Sequence, residues 1–587
     1  MKRLKVTGLL LFCLGFAIFN GAFFSASHRL TNDIIAEHID DIDKATLFRN
    51  HSELINKPVA SNFYFIDELD SGLQAANEDL IQIYSISDEE IDQLAEANTL
   101  TFDTASLSIL DGQATGYYKQ RTFKDYGSWL HQRTYSDKEA MKADITNVVT
   151  NIKEYQITQE KGFDEYEIDR LKYELTKASS IGPVSTYPIA FLVLTYLMCI
   201  VGALMYIMPR LRKELPGVKN NKIWFDPMKN VGWLGQLTGT YLIVFYIVLY
   251  FFPEYMTNWI IMVDPISQLI KGSDAGRFFL YGFIYTLCIL VMGVRMIIKY
   301  RHSRYQIFRT ISVMFFQTAF AFLIPEILLR LNKPYFDFKN IWPLDYDFFF
   351  GSELTNLINE GTLGIFMLGW GIALIIIAVP VFVYFFGKRW YCSWVCGCGG
   401  LAETLGDPYR QLSDKRLKAW KIERWMVHGV LVFAVVMTAG VLYTYWTGNS
   451  ELLGISTYDV RSVYGAWIGA GFAGVVGTGF YPLMGNRVWC RFGCPLAAYL
   501  GIIQRFKSRF RITTNGGQCI SCGNCSTYCE MGIDVRWYAQ RGQNIVRASC
   551  VGCGVCSSVC PRGVLNLENL SESSRFKLPD IKPAPKV

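Results

Sequence analysis

Eight cysteines near the C-terminus share one spacing, and thiolates at this spacing could hold iron–sulfur clusters. Each set of four reads C-x2-C-x2-C-x3-C. Three thiolates of such a loop converge on one cubane, whereas the fourth reaches the neighbouring cluster. We therefore predict two [4Fe-4S] clusters with crossed ligands. The first is held by Cys519, Cys522, Cys525 and Cys560, and the second by Cys550, Cys553, Cys556 and Cys529.

Two other cysteine chemistries fit this spacing less well. Zinc sites usually separate two cysteine pairs by a longer segment, and disulfide frameworks suit small secreted domains. One departure concerns the residue after the fourth cysteine, because Cys529 is followed by Glu530 whereas Cys560 is followed by Pro561. The acidic residue predicts a more negative environment and a lower reduction potential.

Two further cysteine pairs have a C-x3-C spacing. They are Cys392 with Cys396, followed by Cys398, and Cys490 with Cys494, followed by Pro495. Proline suits the first turn of a helix, whose N-terminal dipole would lower the pKa of a nearby thiol. Three interpretations stay open: a dithiol–disulfide relay, a metal ion or third cluster held by both pairs, and structural thiols.

The two pairs belong to an internal repeat. Arg389 and Arg487 each open the pattern R-x-x-C-x3-C, and both copies continue with Leu-Ala-x-x-Leu-Gly. Duplicated membrane segments are generally related by a pseudo-twofold axis. We therefore expect the four thiols to meet at the cytoplasmic face of a membrane domain as one shared redox or metal site.

The composition is that of a membrane protein. Of 587 residues, 51% are hydrophobic and 15% aromatic, and the mean hydropathy is +0.19. A bilayer is crossed by about 20 apolar residues. Eight segments reach that length: Val6–Ser25, Tyr187–Met208, Val231–Phe252, Phe278–Ile298, Thr310–Leu329, Gly361–Phe386, Val427–Trp446 and Trp467–Met484. The first is predicted as an uncleaved anchor, with a cleaved signal peptide as the alternative.

Loop charges predict the orientation of these spans. Lysine and arginine crowd the N-terminus and alternate loops, which places both termini in the cytoplasm. All 16 cysteines fall in predicted spans or predicted cytoplasmic segments, as expected for reduced thiols and clusters. We therefore expect a multi-pass membrane protein with its clusters on the cytoplasmic side.

The segment 28–185 is acidic and contains no cysteine. Helix-like runs at Ser87–Ala97 and Tyr135–Tyr155 accompany a strand-like run at Leu80–Ile86, which predicts an extracytoplasmic α/β domain. The acidic charge of this segment argues against nucleic-acid binding. The positive excess elsewhere is explained by basic loops in contact with anionic lipid headgroups.

The fold class is therefore predicted as mixed. An α-helical polytopic membrane domain would carry an N-terminal extracytoplasmic α/β domain and a C-terminal cytoplasmic α+β dicluster ferredoxin domain. The predicted parts are an anchor or signal at 1–27, the acidic domain at 28–185, the membrane domain at 186–512, the ferredoxin domain at 513–567 and a disordered tail at 568–587. Tyr499–Ile512 is predicted as an interfacial helix that ties the ferredoxin domain to the bilayer.

Histidines and carboxylates give weaker signals. The six histidines provide no pair at two membrane depths, so a haem relay across the bilayer is not expected. Glu254, Asp264 and Glu326 lie near the predicted outer ends of spans. There, a carboxylate could accept protons from quinol or could simply be a solvated helix-end acid.

Over about residues 231–567 the sequence resembles the polytopic membrane ferredoxins typified by NosR, NapH and CcoG. The cysteine octet and Cys490–Pro495 carry the likeness, whereas Cys392–Cys398 lacks the proline. The resemblance implies electron transfer in support of an extracytoplasmic respiratory metalloenzyme, through two clusters and the membrane cysteine site. A redox sensor or a metal-reducing assembly factor of the CcoG type is the alternative.

The N-terminal part departs from these models. NosR-like proteins attach flavin to the threonine of an S-G-A-T motif, and the nearest string here is Gly112-Gln113-Ala114-Thr115. Flavin at Thr115 is therefore not expected. The sequence shows no carrier to the outer face, so a bound flavin, a quinone or a further metal centre would have to bridge that gap. A redox partner is expected to dock on residues 28–185.

Overall fold

The computed structural model describes residues 2–112, 115–152, 157–158, 161–213, 232–449, 451–452 and 454–569. Most of the predicted tail 568–587, and the middle of the string that ends at Thr115, lie outside the described residues. The chain divides into two compact units. Unit one comprises residues 1–18, 192–252 and 263–587, and unit two comprises residues 19–191 and 253–262.

Unit two is built from helices. Its longer described helices are Asn32–His38, Ile42–His51, Asn62–Tyr84, Asp88–Ala97, Gly116–Gly127, Lys138–Ile152 and Glu165–Ala178. The regular strands described in this unit, His28–Arg29 and Pro58–Val59, have two residues each and pair antiparallel. The α/β prediction for residues 28–185 is therefore wrong, whereas the helix predicted at Ser87–Ala97 is confirmed. Lys138–Ile152 confirms the described part of the helix predicted at Tyr135–Tyr155, whose residues 153–155 lie outside the described residues.

The predicted strand Leu80–Ile86 lies mostly within the end of the helix Asn62–Tyr84. Leu73, Ala76 and Leu80 are all buried, at the spacing of three and four residues that one helix face requires. The next helix begins with a capping box between Ser87 and Glu90. The strand-like alternation at Leu80–Ile86 is thus outweighed by the longer helical periodicity of the preceding residues, whose apolar face is buried in the unit.

Seven described helices are long and apolar enough to cross a bilayer. They are Lys2–Phe24, Pro188–Pro209, Gly232–Phe251, Arg277–Lys299, Arg304–Arg330, Thr362–Phe386 and Leu417–Thr447. They coincide with seven of the eight predicted spans. Several extend beyond the predicted bounds because their ends carry charged residues that a hydropathy pattern excludes.

The eighth predicted span, Trp467–Met484, is not one continuous helix. A helix covers residues 457–479, with π-helical hydrogen bonding at Gly465–Val476, and a separate helical turn follows at Tyr481–Met484. The break comes at Phe480, just before Pro482, and proline cannot donate the hydrogen bond that a continuing helix needs. Broken helices of this kind leave backbone and side chains free to build a site within a bundle.

The ferredoxin domain begins before the predicted boundary at residue 513. The strand Phe510–Thr514 pairs antiparallel with Leu565–Asn569, from Phe510 opposite Asn569 to Thr514 opposite Leu565. Short helices Asn524–Thr527, Val535–Gln540 and Val555–Ser558 lie between the two strands. An α+β fold of this domain is therefore observed.

The predicted interfacial helix at Tyr499–Ile512 is also corrected. The helix runs from Pro495 to Lys507, and residues 510–514 form the first ferredoxin strand. Leu496, Ala497 and Leu500 are buried on one face of this helix, whereas Ile502 and Phe506 are exposed. Its predicted place at the membrane surface stays a prediction.

Candidate electron-transfer site

The ferredoxin domain contains two cavities lined by cysteines. Cys519, Cys522, Cys525 and Cys560 line the first cavity. Cys529, Cys550, Cys553 and Cys556 line the second. The structure therefore brings together the two crossed sets that the spacing predicts, each with three cysteines of one half and one of the other. We call these cavity one and cavity two.

The two halves of the ferredoxin domain repeat the same local geometry. Gly523 and Gly554 follow the second cysteine of each half with φ of +81° and +74°, a conformation that glycine adopts at little cost. The sulfur of each fourth cysteine then accepts a backbone hydrogen bond: Cys529 from Ile533 at 3.4 Å, and Cys560 from Val564 at 3.3 Å. Such N–H···S bonds stabilise thiolates that ligate iron, so both cavities fit a [4Fe-4S] cluster.

The membrane repeat has its own shared geometry. Gly387 and Gly485 each lie five residues before the first cysteine of their copy and have φ of +65° and +95°. The second cysteine of each copy then caps a short helix. Cys396 precedes Gly397–Thr404, and Cys494 precedes Pro495–Lys507. The predicted position of Pro495 in the first turn of a helix is confirmed.

The structure also brings the two C-x3-C pairs together. Cys392, Cys396, Cys490 and Cys494 are buried in one apolar core, with Cys398 packed against it. We call this group the membrane cysteine site.

The thiols of this site differ in electrostatic environment. A hydrogen bond with Cys398 is the main cause that lowers the pKa of Cys396 to about 6. Burial raises the pKa of Cys392 to about 12. The sulfur of Cys494 accepts the Ala497 amide at 3.4 Å, and the sulfur of Cys490 accepts a guanidinium N–H of Arg487 at 3.6 Å. Buried thiols with such donors fit a third cluster.

Among the described residues, no three histidine, cysteine, aspartate or glutamate side chains are grouped as for a single bound metal ion. Four thiols around a cubane lie farther apart than four thiols around one ion.

The chain after Cys396 folds back against the middle of a neighbouring span. A Cβ atom on Gly397 would lie 2.7 Å from Oε1 of Gln317, in the middle of the span Arg304–Arg330. Gln317 is eleven residues beyond Gln306, whose side chain contacts the ferredoxin domain. At 1.5 Å per residue, this separation is about 16 Å.

Glycines make this fold-back possible. A Cβ atom on Gly399 would lie 2.0 Å from the carbonyl oxygen of Cys392, and one on Gly400 would lie 2.2 Å from Cγ1 of Val313. A larger residue at either position would collide with the chain or with the span. The small residues after Cys396 therefore let the second cysteine enter the bundle.

Cavity two faces the membrane domain. The loop between its cysteines accepts three hydrogen bonds: Val551 from the Ser393 hydroxyl at 2.7 Å, Gly552 from the Tyr305 hydroxyl at 2.8 Å, and Cys553 from the Gln306 amide at 2.8 Å. Ser393 is the residue after Cys392. The hydrogen bond between Ser393 and Val551 thus joins the residue after Cys392 to the residue after Cys550.

A buried charge network lies beside both sites. Its members are Arg295, Lys299, Arg309, Arg410 and Arg487 with Glu403, Asp407 and Glu530. Glu530 is 1% exposed and binds Arg410 at 2.7 Å and Arg487 at 3.1 Å. Burial opposes the charge on Glu530, but the two guanidinium groups hold its pKa at about 2.

Sequence reasoning noticed Glu530 but missed its partners. It predicted a more acidic environment, whereas five basic and three acidic side chains leave the network with a positive formal charge. The available signal was the pair of repeated arginines. Arg487 is fully buried in the network, whereas Arg389 bonds to Asn569 at 2.9 Å and is partly exposed.

The carboxylates predicted near the outer span ends have separate environments. Glu254 and Glu326 are both buried, the first in unit two and the second in unit one. Asp264 accepts the Ala275 amide at 2.7 Å, which closes a local turn. Contact of such a carboxylate with quinol stays a prediction.

A cleft of about 710 Å³ opens beside cavity two and the membrane cysteine site. Six aromatic side chains line its wall, and Arg389 with four serines supplies polar groups. Its lining includes Tyr305, Phe316, Phe382, Phe386, Trp390 and Trp394, together with Gly554 of the cavity-two loop. The cleft therefore suits an amphipathic ligand with a flat ring.

Comparisons with known proteins match the same regions. A family described as a 4Fe-4S binding domain matches residues 369–419 and 465–513, one segment for each copy of the membrane repeat. A family described as a 4Fe-4S dicluster domain matches residues 518–565. No solved structure matches the chain significantly.

Three curated relatives have informative names. The putative electron transport protein YccM of Escherichia coli is 25% identical over 28% of this chain and 47% of its own length. The methylamine utilization ferredoxin-type protein MauN of Paracoccus denitrificans is 27% identical over 26% of this chain and 51% of its own length. The ferredoxin-type protein NapH of Haemophilus influenzae is 26% identical over 27% of this chain and 54% of its own length.

The chain thus spans about half the length of these relatives. The matched families cover both cysteine repeats, and the relatives carry ferredoxin-type or electron-transport names. The chain therefore has the 4Fe-4S domains of the polyferredoxin-like membrane family, as its cysteine motifs predicted.

Proposed function

We propose that this protein is a membrane-bound iron–sulfur electron-transfer protein that supports an extracytoplasmic respiratory metalloenzyme. The observation that carries the proposal is the contact between cavity two and the membrane cysteine site, where Ser393 donates to Val551 at 2.7 Å. Clusters held at these sites would supply one-electron redox chemistry. The protein would hold them in line, with cavity two between cavity one and the membrane cysteines.

The ligands follow from the cavities and the buried core. Cavity one would hold a [4Fe-4S] cluster through Cys519, Cys522, Cys525 and Cys560, and cavity two through Cys550, Cys553, Cys556 and Cys529. Of the three interpretations of the membrane cysteine site, a third cluster held by Cys392, Cys396, Cys490 and Cys494 is favoured. The 4Fe-4S binding family spans both of these pairs.

The gap to the outer face remains part of the proposal. A hydrocarbon core is about 30 Å thick, and the membrane cysteine site lies against the ferredoxin domain. A bound flavin, a quinone or a further metal centre would have to bridge the remaining distance.

The cleft beside Arg389 is proposed as a quinone site. Phe316, Phe382 and Trp394 would pack on the ring and tail, and Arg389 would donate to a ring oxygen. The protein would then act as a quinol oxidoreductase that passes electrons to the neighbouring cysteine sites. Loss of quinol-analogue oxidation in Trp394→Ala, with iron content unchanged, would support this entry point.

The predicted orientation remains part of the proposal. Basic loops place the ferredoxin domain in the cytoplasm of a bacterium and residues 28–185 outside the inner membrane. The helical, acidic domain at 28–185 would then bind the redox partner. A reporter that is active only in the cytoplasm should work after Asn569 and fail after Ser87.

The alternative function is a redox sensor or a metal-reducing assembly factor for a copper or haem oxidase. Steady-state turnover with a quinol analogue and an artificial acceptor tests the leading proposal in the purified, anaerobic protein. Catalytic turnover supports electron transfer. Reduction of the clusters without turnover would overturn it in favour of a sensor, and reduction of copper ions alone would favour an assembly factor.

A further inference from the structure

One guanidinium group connects the membrane cysteine site to the ferredoxin domain. Nη1 of Arg487 donates to the Cys490 sulfur at 3.6 Å and to the Cys392 carbonyl oxygen at 3.3 Å. Nη2 of the same side chain binds Glu403 at 2.5 Å and Glu530 at 3.1 Å. Arg487 therefore touches both copies of the membrane repeat and the residue that follows Cys529.

Glu530 holds this guanidinium in place. Its carboxylate also accepts Nη1 of Arg410 at 2.7 Å and Nδ2 of Asn486 at 3.1 Å. The other half of the octet has Pro561 at this position, so only one half can make such a contact. The acidic departure thus lies at the side of the ferredoxin domain that contacts the membrane domain.

The repeat offers an internal comparison for Arg487. Arg389 occupies the same position in the first copy, but it stacks on Phe510 at 4.7 Å and bonds to Asn569. A rigid, planar guanidinium suits both tasks. Only Arg487 makes a described bond to a cysteine sulfur, so the two arginines have diverged in function.

We propose that Arg487 and Glu530 are positioning residues that set, with opposite signs, the reduction potential of the membrane cysteine site. The inference rests on the proposed third cluster. A fixed positive charge beside a ligating sulfur favours the more negative, reduced state and raises the potential. Glu530 opposes this effect and also lowers the potential of cavity two, because it follows Cys529.

The test is a spectroscopic redox titration of the purified full-length protein and its variants. Arg487→Gln should lower the potential of the third centre by about 59 mV, which is a tenfold change for a one-electron couple. Glu530→Gln removes a negative charge with little change in shape. It should raise the potentials of both the third centre and cavity two. A purely structural role would not produce shifts of opposite sign.

Two further variants supply the controls. Arg491→Gln breaks another buried ion pair, which Arg491 forms with Glu423 at 2.8 Å. Arg491 is the residue after Cys490, and this variant should shift the potential of the third centre by less than half as much as Arg487→Gln does. Arg487→Lys keeps the positive charge and should leave the potential of the third centre close to that of the wild-type protein. If Arg487→Gln fails to bind iron, the near-isosteric Glu530→Gln decides the question.

The outcomes separate this inference from the proposed function. A third redox transition that stays unmoved in both variants, or moves in the same direction in both, overturns the inference alone. A wild-type titration without a third transition overturns the third cluster and the inference together. Opposite shifts in Arg487→Gln and Glu530→Gln, together with a smaller shift in Arg491→Gln, support the proposed third cluster and the inference.

Discussion

The ferredoxin domain and the membrane repeat are both duplications of cysteine motifs, but they pool their cysteines differently. In the ferredoxin domain each half brings four cysteines, and the halves exchange one each, which produces two cavities. In the membrane repeat each half brings one C-x3-C pair, and the pairs fall in one core. A duplication therefore yields two sites or one according to how many ligands each half supplies.

The comparison also shows what a duplication preserves. Glycines with positive φ recur at equivalent positions in both halves of each pair: Gly523 and Gly554 in one, Gly387 and Gly485 in the other. Side chains around them diverge, as in Arg389 and Arg487. Backbone geometry that presents the thiols is kept, whereas the groups that tune them differ.

The largest expected effect tests whether the membrane pairs form one site. Cys392→Ser/Cys396→Ser and Cys490→Ser/Cys494→Ser should each lose about four of about twelve iron atoms. The quadruple variant should lose no more, because a shared site fails when either pair is absent. Iron analysis and partner-enzyme activity measure this. Full activity in either double variant would mean that these thiols are structural.

The next effect tests whether the ferredoxin halves form two sites. Cys560→Ser should damage the cluster of cavity one, since its sulfur lines the cavity of Cys519, Cys522 and Cys525. The cluster of cavity two should keep its spectrum. Electron paramagnetic resonance of the reduced protein resolves the two. Damage confined to the cavity that contains Cys550 would refute the crossed ligation.

A smaller effect tests the close packing of the chain around Cys392. Gly399→Ala places a Cβ atom 2.0 Å from the Cys392 carbonyl oxygen and should reduce the iron content from about twelve towards about eight. Gly429→Ala is the matched control, because nothing lies within 4 Å of its Cβ. It should leave the iron unchanged and stabilise its helix by about 0.5–1 kcal/mol. Equal iron in both variants would contradict the close packing.

The smallest effect concerns the additional thiol of the first copy. Cys398→Ser should leave all the iron in place, because four other thiols complete the proposed ligand set. The hydrogen bond between Cys398 and Cys396 would be altered, so a modest shift in the potential of the third centre is expected. Loss of about four iron atoms would instead make Cys398 a ligand.

Unit two shows where sequence reasoning fails for this fold. The capped helix Asp88–Ala97 was predictable from Ser87 and Glu90, since a capping box is local. The end of the helix Asn62–Tyr84 was not, because its apolar positions near Leu80 fit a strand as well as a helix. The face that becomes buried is settled by other helices of the unit.

The sequence by itself determined the cysteine chemistry and the spans. The C-x2-C-x2-C-x3-C spacing implied crossed sets, because ligand spacing along a loop is a local property. The R-x-x-C-x3-C repeat implied that four thiols would meet, because duplicated halves are generally related by a pseudo-twofold axis. Seven spans followed from apolar length alone. These features need no knowledge of distant contacts.

Only the tertiary structure decided where those thiols lie and what surrounds them. Gly399 and Gly400 let the chain after Cys396 pack closely against Cys392 and Val313. Arg487, Glu403 and Glu530 are up to 127 residues apart in sequence, yet their charges compensate each other within hydrogen-bond distance. Buried charges must be paired, and the pairing partners are selected by packing, which no local pattern contains.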